Sequence, residues 1–268
     1  MTEPRVALVT GGTSGIGRSL VWALARDRWR IAIAGRRQDA LDHVERVARS
    51  FGGDPLAVRM DVQSPGEVSD GIERTLAAWG RIDLALLSAG IALRMKPQEF
   101  RSQVVSDTLD INVIGVAHCM EALHRPMGAQ EGGGTIAVIS SLAADRALAG
   151  TGAAYSASKA AISQLCDGLR AAWAEEGVRL VTVSPGFIRT PMTAENGYMP
   201  LLMEPEDAAG AIIDGIRRGR SIIRFPQGAS LAMGALRFLP AAAIDFIYRM
   251  DRQAERRSAA RPASPEER

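Results

Sequence analysis

The stretch VALVTGGTSGIG, residues 6–17, runs from an unbroken apolar segment through a glycine-rich turn toward the amphipathic segment SLVWALARD. Val6, Ala7, Leu8 and Val9 show no polar alternation, the pattern of a strand covered on both faces. Gly11, Gly15 and Gly17 permit a tight turn and close approach of another backbone or a ligand. A helix opening after the turn aims free N–H groups and the positive end of its dipole at the same place. Gly11, Thr13, Ser14, Gly15, Ile16 and Gly17 therefore form a candidate pyrophosphate cradle. The spacing is G-x-x-x-G-x-G, not the commoner G-x-G-x-x-G, and a glycine-rich turn alone also marks an ordinary loop. Strand, turn and helix in this order favour the nucleotide site.

Outward from this stretch the pattern repeats. Short apolar runs recur at 31–34, 56–58, 84–87, 136–139, 180–183 and 221–225, separated by segments of helical length such as ALDHVERVAR, EVSDGIERTLAAW and AAISQLCDGLRAAWAEE. The rhythm predicts an α/β chain: a Rossmann-type doubly wound parallel sheet of about seven strands, helices on both faces, one domain, with its ligand at the C-terminal strand ends. A length of 268 residues with 47% hydrophobic content supports one sizeable core. A net charge of +2 with interspersed signs and only 5% aromatic residues argues against a nucleic-acid surface. Cys119 and Cys166 read as buried free thiols in a reducing cytoplasm. The chain enters its first strand without a leader pattern, and no uncharged apolar run reaches the ~18 residues of a membrane span. A cytoplasmic location is expected.

Later strand ends carry further candidates. After the second, Gly35 stands where an acid would meet a ribose 2′-hydroxyl, and Arg36 and Arg37 follow; a guanidinium there suits a 2′-phosphate, though paired arginines also simply solvate loops. Asp61 and Val62 follow the third strand. Asp61 is placed to accept from an adenine amino group or to cap the next helix, with Ser64 before Pro65 the better cap. Ser88, Ala89 and Gly90 follow the fourth and leave room for a flat ring or ribose. Asn112 interrupts the helical segment LDINVIGVAHCM, where a buried amide commonly bonds locally or bends the helix.

The segment SSLAADRALAGTGAAYSASK, residues 140–159, collects three chemical groups. Tyr155 and Lys159 stand four apart and share a helical face. An ammonium beside a phenol favours the phenolate, drawing a pKa of ~10 toward neutrality. Ser141 leaves a strand at its C-terminal end, placed to donate to a substrate oxygen. Taken singly, the pair also reads as a lysine lying along a ring, and the serine as a turn or cap residue.

TGGTSGIG at 10–17, DV at 61–62, AG at 89–90, Asn112, SS at 140–141, YSASK at 155–159 and SPGFIRT at 184–190 occur together and in order. In this set the chain resembles the short-chain dehydrogenase/reductase family over roughly residues 4–226. The resemblance implies a tetrad of Asn112, Ser141, Tyr155 and Lys159. Tyr155 is implied as acid–base group at the substrate oxygen, Ser141 as the donor orienting that oxygen, Lys159 as ribose ligand lowering the tyrosine pKa, and Asn112 as holder of a relay water. Pro185, Gly186, Ile188 and Thr190 are implied as the nicotinamide subsite. The implied activity interconverts a carbonyl and a secondary alcohol with NADP(H), or alternatively NAD(H), and the implied assembly is a homodimer or homotetramer. A cofactor-binding sensor or scaffold without turnover is the alternative function. Two departures stand out: LSAG at 87–90 replaces the frequent NNAG, and the Ser141 to Tyr155 spacing is one residue longer than usual, implying a small bulge and leaving Ser140 as a second candidate serine.

The loop 187–204 brings Met192, Tyr198, Met199, Leu201, Leu202 and Met203, a lining suited to a hydrophobic small-molecule carbonyl or alcohol, or equally to core or oligomer packing. By organisation, residues 1–227 form the catalytic domain, 228–252 an apolar helical extension divided at Pro240, and 253–268 a disordered tail. The extension needs cover: its own subunit, a neighbouring subunit, or a peripheral membrane contact through 228–257 with Arg249, Arg252, Arg256 and Arg257 at the headgroups.

Overall fold

The structure, a computed structural model, describes residues 4–147, 152–194, 199–246 and 249. Each apolar run forms a strand: β1 Val6–Thr10, β2 Arg30–Gly35, β3 Asp54–Arg59, β4 Leu84–Leu87, β5 Gly134–Ile139, β6 Val178–Pro185 and β7 Ile222–Phe225. They make one parallel seven-stranded sheet in the order β3-β2-β1-β4-β5-β6-β7, as the alternation of strand and helix patterns requires. The chain reverses direction across the sheet between β1 and β4, so a crevice opens at their C-terminal ends.

The helices are α1 Gly15–Arg26, α2 Gln38–Ser50, α3 Pro65–Trp79, α4 Ser102–Leu109, α5 Val116–Ala129, α6 Ala153–Glu175, α7 Pro205–Arg217 and α8 Gln227–Leu236. Alternate strand residues feed two cores. Ala7, Val9, Ile31, Ile33 and Val181 pack with Leu20, Leu24, Leu41 and Ile212 of α1, α2 and α7. Leu8, Ala32, Ile136 and Leu180 pack with Ile72, Met120, Leu123 and Ile162 of α3, α5 and α6. Both faces of β1 are thereby sealed, which is why its sequence shows no alternation.

Ser64 caps α3, accepting from the Glu67 amide at 3.3 Å with Pro65 in the first turn. Asp61 instead accepts from the Gln63 amide at 3.1 Å, so it is not the helix cap. α1 begins at Gly15, inside the glycine turn rather than beyond it. Around Asn112 the helix widens into a π-helical turn, Asp110–Gly115, between α4 and α5. Residues 241–246 resume the helical path beyond Pro240 after α8, and no residue from 227 to 246 is buried. Cover from its own subunit, one of the three expectations for this extension, is therefore incomplete. Tyr198, Arg252, Arg256, Arg257, the tail 253–268 and the centre of the loop before Tyr155 lie outside the described residues. Among the described residues no helix is long and apolar enough to cross a membrane.

Candidate active site

The first strand end and the glycine turn divide the crevice into two connected cavities. One, of about 240 Å³, is lined by Thr13, Gly35, Arg36, Arg37, Asp61 and Val62. The other, of about 170 Å³, is lined by Ile16, Ser88, Ser141, Tyr155, Lys159, Pro185, Gly186, Ile188 and Thr190, with Gly15 at its floor. Gly11, Ser14, Ala89 and Gly90 line both. Of the cofactor and tetrad residues expected at the site, only Gly17 and Asn112 line neither cavity; of the described loop residues expected beside the substrate, Met192 lines the second cavity, whereas Met199, Leu201, Leu202 and Met203 line neither.

The turn is built for close approach. Gly11 has φ +64°, and a Cβ there would come within 2.9 Å of the Ala89 backbone; a Cβ on Gly17 would lie 2.3 Å from the Gly11 carbonyl oxygen. Gly17 thus permits the packing of turn on helix rather than touching a ligand. At the α1 N-terminus Ser14 makes no side-chain cap, and no acidic residue stands in the first turn. The dipole end is left to an anion, so the cradle fits a dinucleotide pyrophosphate.

At the adenosine end, a Cβ on Gly35 would meet Thr13 Cγ2 at 3.2 Å, which leaves little space for the acidic side chain of an NAD-type site. Arg36 reaches across the cavity, its guanidinium 3.9 Å from Asp61 Oδ2. Asp61 is thereby occupied by Arg36 and the Gln63 amide, so its side chain anchors the arginine while lining the cavity.

At the opposite end, β5 delivers Ser140 and Ser141, and α6 brings Tyr155 and Lys159 over them. Ser140 Oγ is spent on the Lys159 carbonyl at 3.1 Å and on Ser163 at 2.6 Å, so of the two serines Ser141 is the one free to face the cavity. Lys159 Nζ donates to the Ile139 carbonyl at 2.8 Å and lies 5.7 Å from the Tyr155 ring centroid. Burial pushes the Tyr155 phenol up from its ordinary pKa, opposed by a hydrogen bond to Ser141, while burial pushes Lys159 down to about 8. In the chain by itself burial thus outweighs the lowering expected from the neighbouring ammonium. Lys159 is itself desolvated, and the serine is the group that opposes burial.

Asn112, fully buried, acts through its neighbours. Its Oδ1 accepts from the Ile91 amide at 2.8 Å, and its Nδ2 donates to the Ile91 carbonyl and to Ser158 Oγ, each at 2.9 Å. Ser158 in turn donates to the Tyr155 carbonyl at 2.7 Å, tying the π-turn to the first turn of the helix that carries the tyrosine. Both amide protons are thus spent on protein, so the side chain has no donor left for a relay water. Ser158 is a functional neighbour that motif reading passed over, its only signal being a small hydroxyl residue inside YSASK. Thr193, likewise passed over, closes the loop after β6 by donating to the Ile188 carbonyl at 2.6 Å and accepting from the Thr190 amide at 3.0 Å.

With this geometry in place, comparison with known proteins shows that residues 5–200 match the family described as short chain dehydrogenase. The chain is a short-chain dehydrogenase/reductase. It is 35% identical over 237 residues, 88% of its length and 93% of the relative's, to a Myxococcus xanthus protein named an uncharacterized oxidoreductase. It is 33% identical over 222 residues, 78% of its length and 87% of the relative's, to a 3-oxoacyl-[acyl-carrier-protein] reductase of Synechocystis. A crystal structure of a short-chain type dehydrogenase/reductase from Mycobacterium marinum superimposes with a TM-score of 0.77 at 27% identity, covering 84% of this chain and 95% of that one. As a short-chain dehydrogenase/reductase the protein is an oxidoreductase acting on CH–OH groups with a nicotinamide cofactor.

Proposed function

We propose that the protein interconverts a carbonyl and a secondary alcohol on a hydrophobic small molecule, with NADP(H) as cofactor and Tyr155 as acid–base group. The observation that carries this reading is the convergence of Ser141, Tyr155 and Lys159 on one wall of the cavity whose floor is the glycine cradle. A half-buried tyrosine, its phenol held by a serine hydroxyl and followed one turn later by a buried lysine, is costly for a mere binding protein. Turnover is therefore preferred over the sensor or scaffold alternative. Support for NADP(H) comes from the crowded Gly35 and from Arg36, whose planar fork suits a phosphate.

When bound, NADP(H) supplies the hydride donor or acceptor. The residues handle the proton and the geometry. Ser141 donates to the substrate oxygen and fixes its position. Tyr155 gives its proton to that oxygen during reduction and recovers it during oxidation. Lys159 would hold the nicotinamide ribose and pass protons toward Tyr155. Pro185, Gly186, Ile188 and Thr190 bound the nicotinamide subsite, and Met192, half exposed beside Thr193, offers the reacting carbonyl an adaptable apolar neighbour. A relative named as a reductase of 3-oxoacyl groups supports a ketone as the substrate class.

The test is consumption of NADPH, and separately of NADH, against a panel of hydrophobic aldehydes and ketones, with wild type and Arg36→Ala. Removing a charge-assisted contact of ~1.5–3 kcal/mol lowers NADPH affinity roughly ten- to a hundred-fold with little effect on NADH. Equal losses for both cofactors, or a wild-type preference for NADH, contradict the assignment.

A further inference from the structure

Ser141 opens a short 3₁₀ turn, Leu142–Ala144, with its Oγ accepting from the Ala143 amide at 3.1 Å. Beyond its hydrogen bond with Tyr155, its other protein contact is a long one, 3.5 Å to the Pro185 carbonyl. The direction of the hydroxyl therefore follows the direction of the turn. Asp145 closes that turn, its amide donating to the Leu142 carbonyl at 3.2 Å, and its side chain is only 13% exposed. The carboxylate meets both terminal nitrogens of Arg224 on β7, one at 3.1 Å to Oδ1 and the other in a shorter bond to Oδ2. The third nitrogen, Nε, donates to Ser230 Oγ of α8 at 2.8 Å. All three guanidinium nitrogens are committed, two to the serine turn and one to the C-terminal helix.

Apolar packing beside the pair leaves the turn little slack. A Cβ on Gly186 would lie 3.1 Å from Pro226 Cδ and 3.5 Å from Leu142 Cδ1, and the Gly186 amide donates to the Phe225 carbonyl at 2.7 Å. The turn after Ser141, the end of β6 and the start of α8 thus meet at one place, with the ion pair as its polar tie. A bidentate arginine–carboxylate pair fixes orientation as well as distance.

We propose that Asp145 and Arg224 are positioning residues for Ser141, and that through Ser230 their ion pair makes α8 part of the catalytic apparatus. Neither residue lines the cavity that holds Ser141 and Tyr155. Their action is indirect: they hold the turn so that the Ser141 hydroxyl points at Tyr155 and at the substrate oxygen. The matched family region ends at residue 200, so α8 and Arg224 lie outside it. The substrate arm of this inference rests on the carbonyl reading above, whereas the tyrosine arm stands without it.

The experiment uses the full chain with tyrosine isotopically labelled at Cζ, followed by NMR at neutral pH. Only three tyrosines are present, and the Tyr155 signal is assigned by its loss in Tyr155→Phe. Asp145→Asn and Arg224→Lys are expected to shift the Tyr155 signal, because the Ser141 hydrogen bond is misdirected; Ser230→Ala is expected to shift it in the same sense by less. Asp27→Asn, which breaks the remote ion pair to Arg217, is the control and is expected to leave the Tyr155 signal in place. With any carbonyl the wild type turns over, Asp145→Asn lowers kcat by about tenfold while KM for NADPH stays within about twofold. A Tyr155 signal unmoved in folded Asp145→Asn overturns the proposal. Should that variant fail to fold, an unmoved signal in Ser230→Ala overturns it equally. If no carbonyl is turned over by wild type, the proposed function fails while the tyrosine signal still decides the positioning role.

Discussion

Lys159 is 5% exposed, and its ammonium is held by the Ile139 carbonyl in surroundings that push its pKa down to about 8. Its unfolded value is ~10.4. Between these values the unfolded chain binds more protons than the folded one, so stability rises as pH climbs through about 8; below that the folded protein bears the full cost of the buried charge. Cys119 and Cys166, pushed up to about 12 and about 11, pull stability the other way above their ordinary thiol range. The thiols titrate in the unfolded chain over pH 8 to 9 as well, so the lysine contribution is read as a difference: the stability of ligand-free wild type minus that of Lys159→Met, by urea denaturation, should gain roughly 1 kcal/mol over that interval while the thiol contributions cancel. A wild-type minus Lys159→Met difference that stays flat from pH 8 to 9 would contradict the burial. The pairing of Tyr155 with Lys159 is legible in the sequence because one helical turn separates them. The direction of their pKa shifts is not, because desolvation comes from strands and helices distant in the chain. Gly35 and Arg36 are legible as a pair because both sit at the end of one strand, whereas the Asp61 anchor of Arg36 comes from the end of the next.

At the scale of elements, the π-turn Asp110–Gly115 shows what periodicity leaves out. The helical pattern around it is plain, and Asn112 marks a disturbance, but its cause lies elsewhere. A Cβ on Gly115 would come within 2.7 Å of Val62 Cγ2, and the Asn112 side chain reaches Ile91 and Ser158. The turn widens where one amide makes three hydrogen bonds to two distant residues and the chain passes close to the strand end at Val62. Asn112→Ala leaves the Ile91 amide and carbonyl without their partner, a cost of about 1–3 kcal/mol. Urea denaturation should register that loss, and turnover should fall with it because the tie to the first turn of α6 is cut. Unchanged stability would show that the turn holds itself. By contrast the α3 cap, Ser64 before Pro65, is entirely local and fully legible.

At the scale of the whole molecule, the sheet order follows from seven apolar runs alternating with helical ones, and the crevice follows from the sheet order. What the sequence does not disclose is how the chain beyond β7 relates to that crevice. Apolar residues there promised burial, yet Leu231, Phe238 and Phe246 are 76%, 87% and 63% exposed. A patch of this kind on a single chain asks for a partner. Deleting residues from Gly228 onward is expected to give a smaller particle by light scattering, as cover by a second copy requires. Unchanged particle size with loss of liposome cosedimentation would assign the patch to a membrane surface instead. The proposed NADP(H)-dependent interconversion of carbonyl and alcohol turns on one phenol, and the most direct measurement compares wild type with Tyr155→Phe. It follows NADPH consumption on a hydrophobic ketone alongside NADPH binding by fluorescence. The expected result is a loss of at least about a hundredfold in kcat with binding retained, the range of a lost acid–base group. A folded Tyr155→Phe protein that keeps more than about a tenth of wild-type kcat contradicts the assignment.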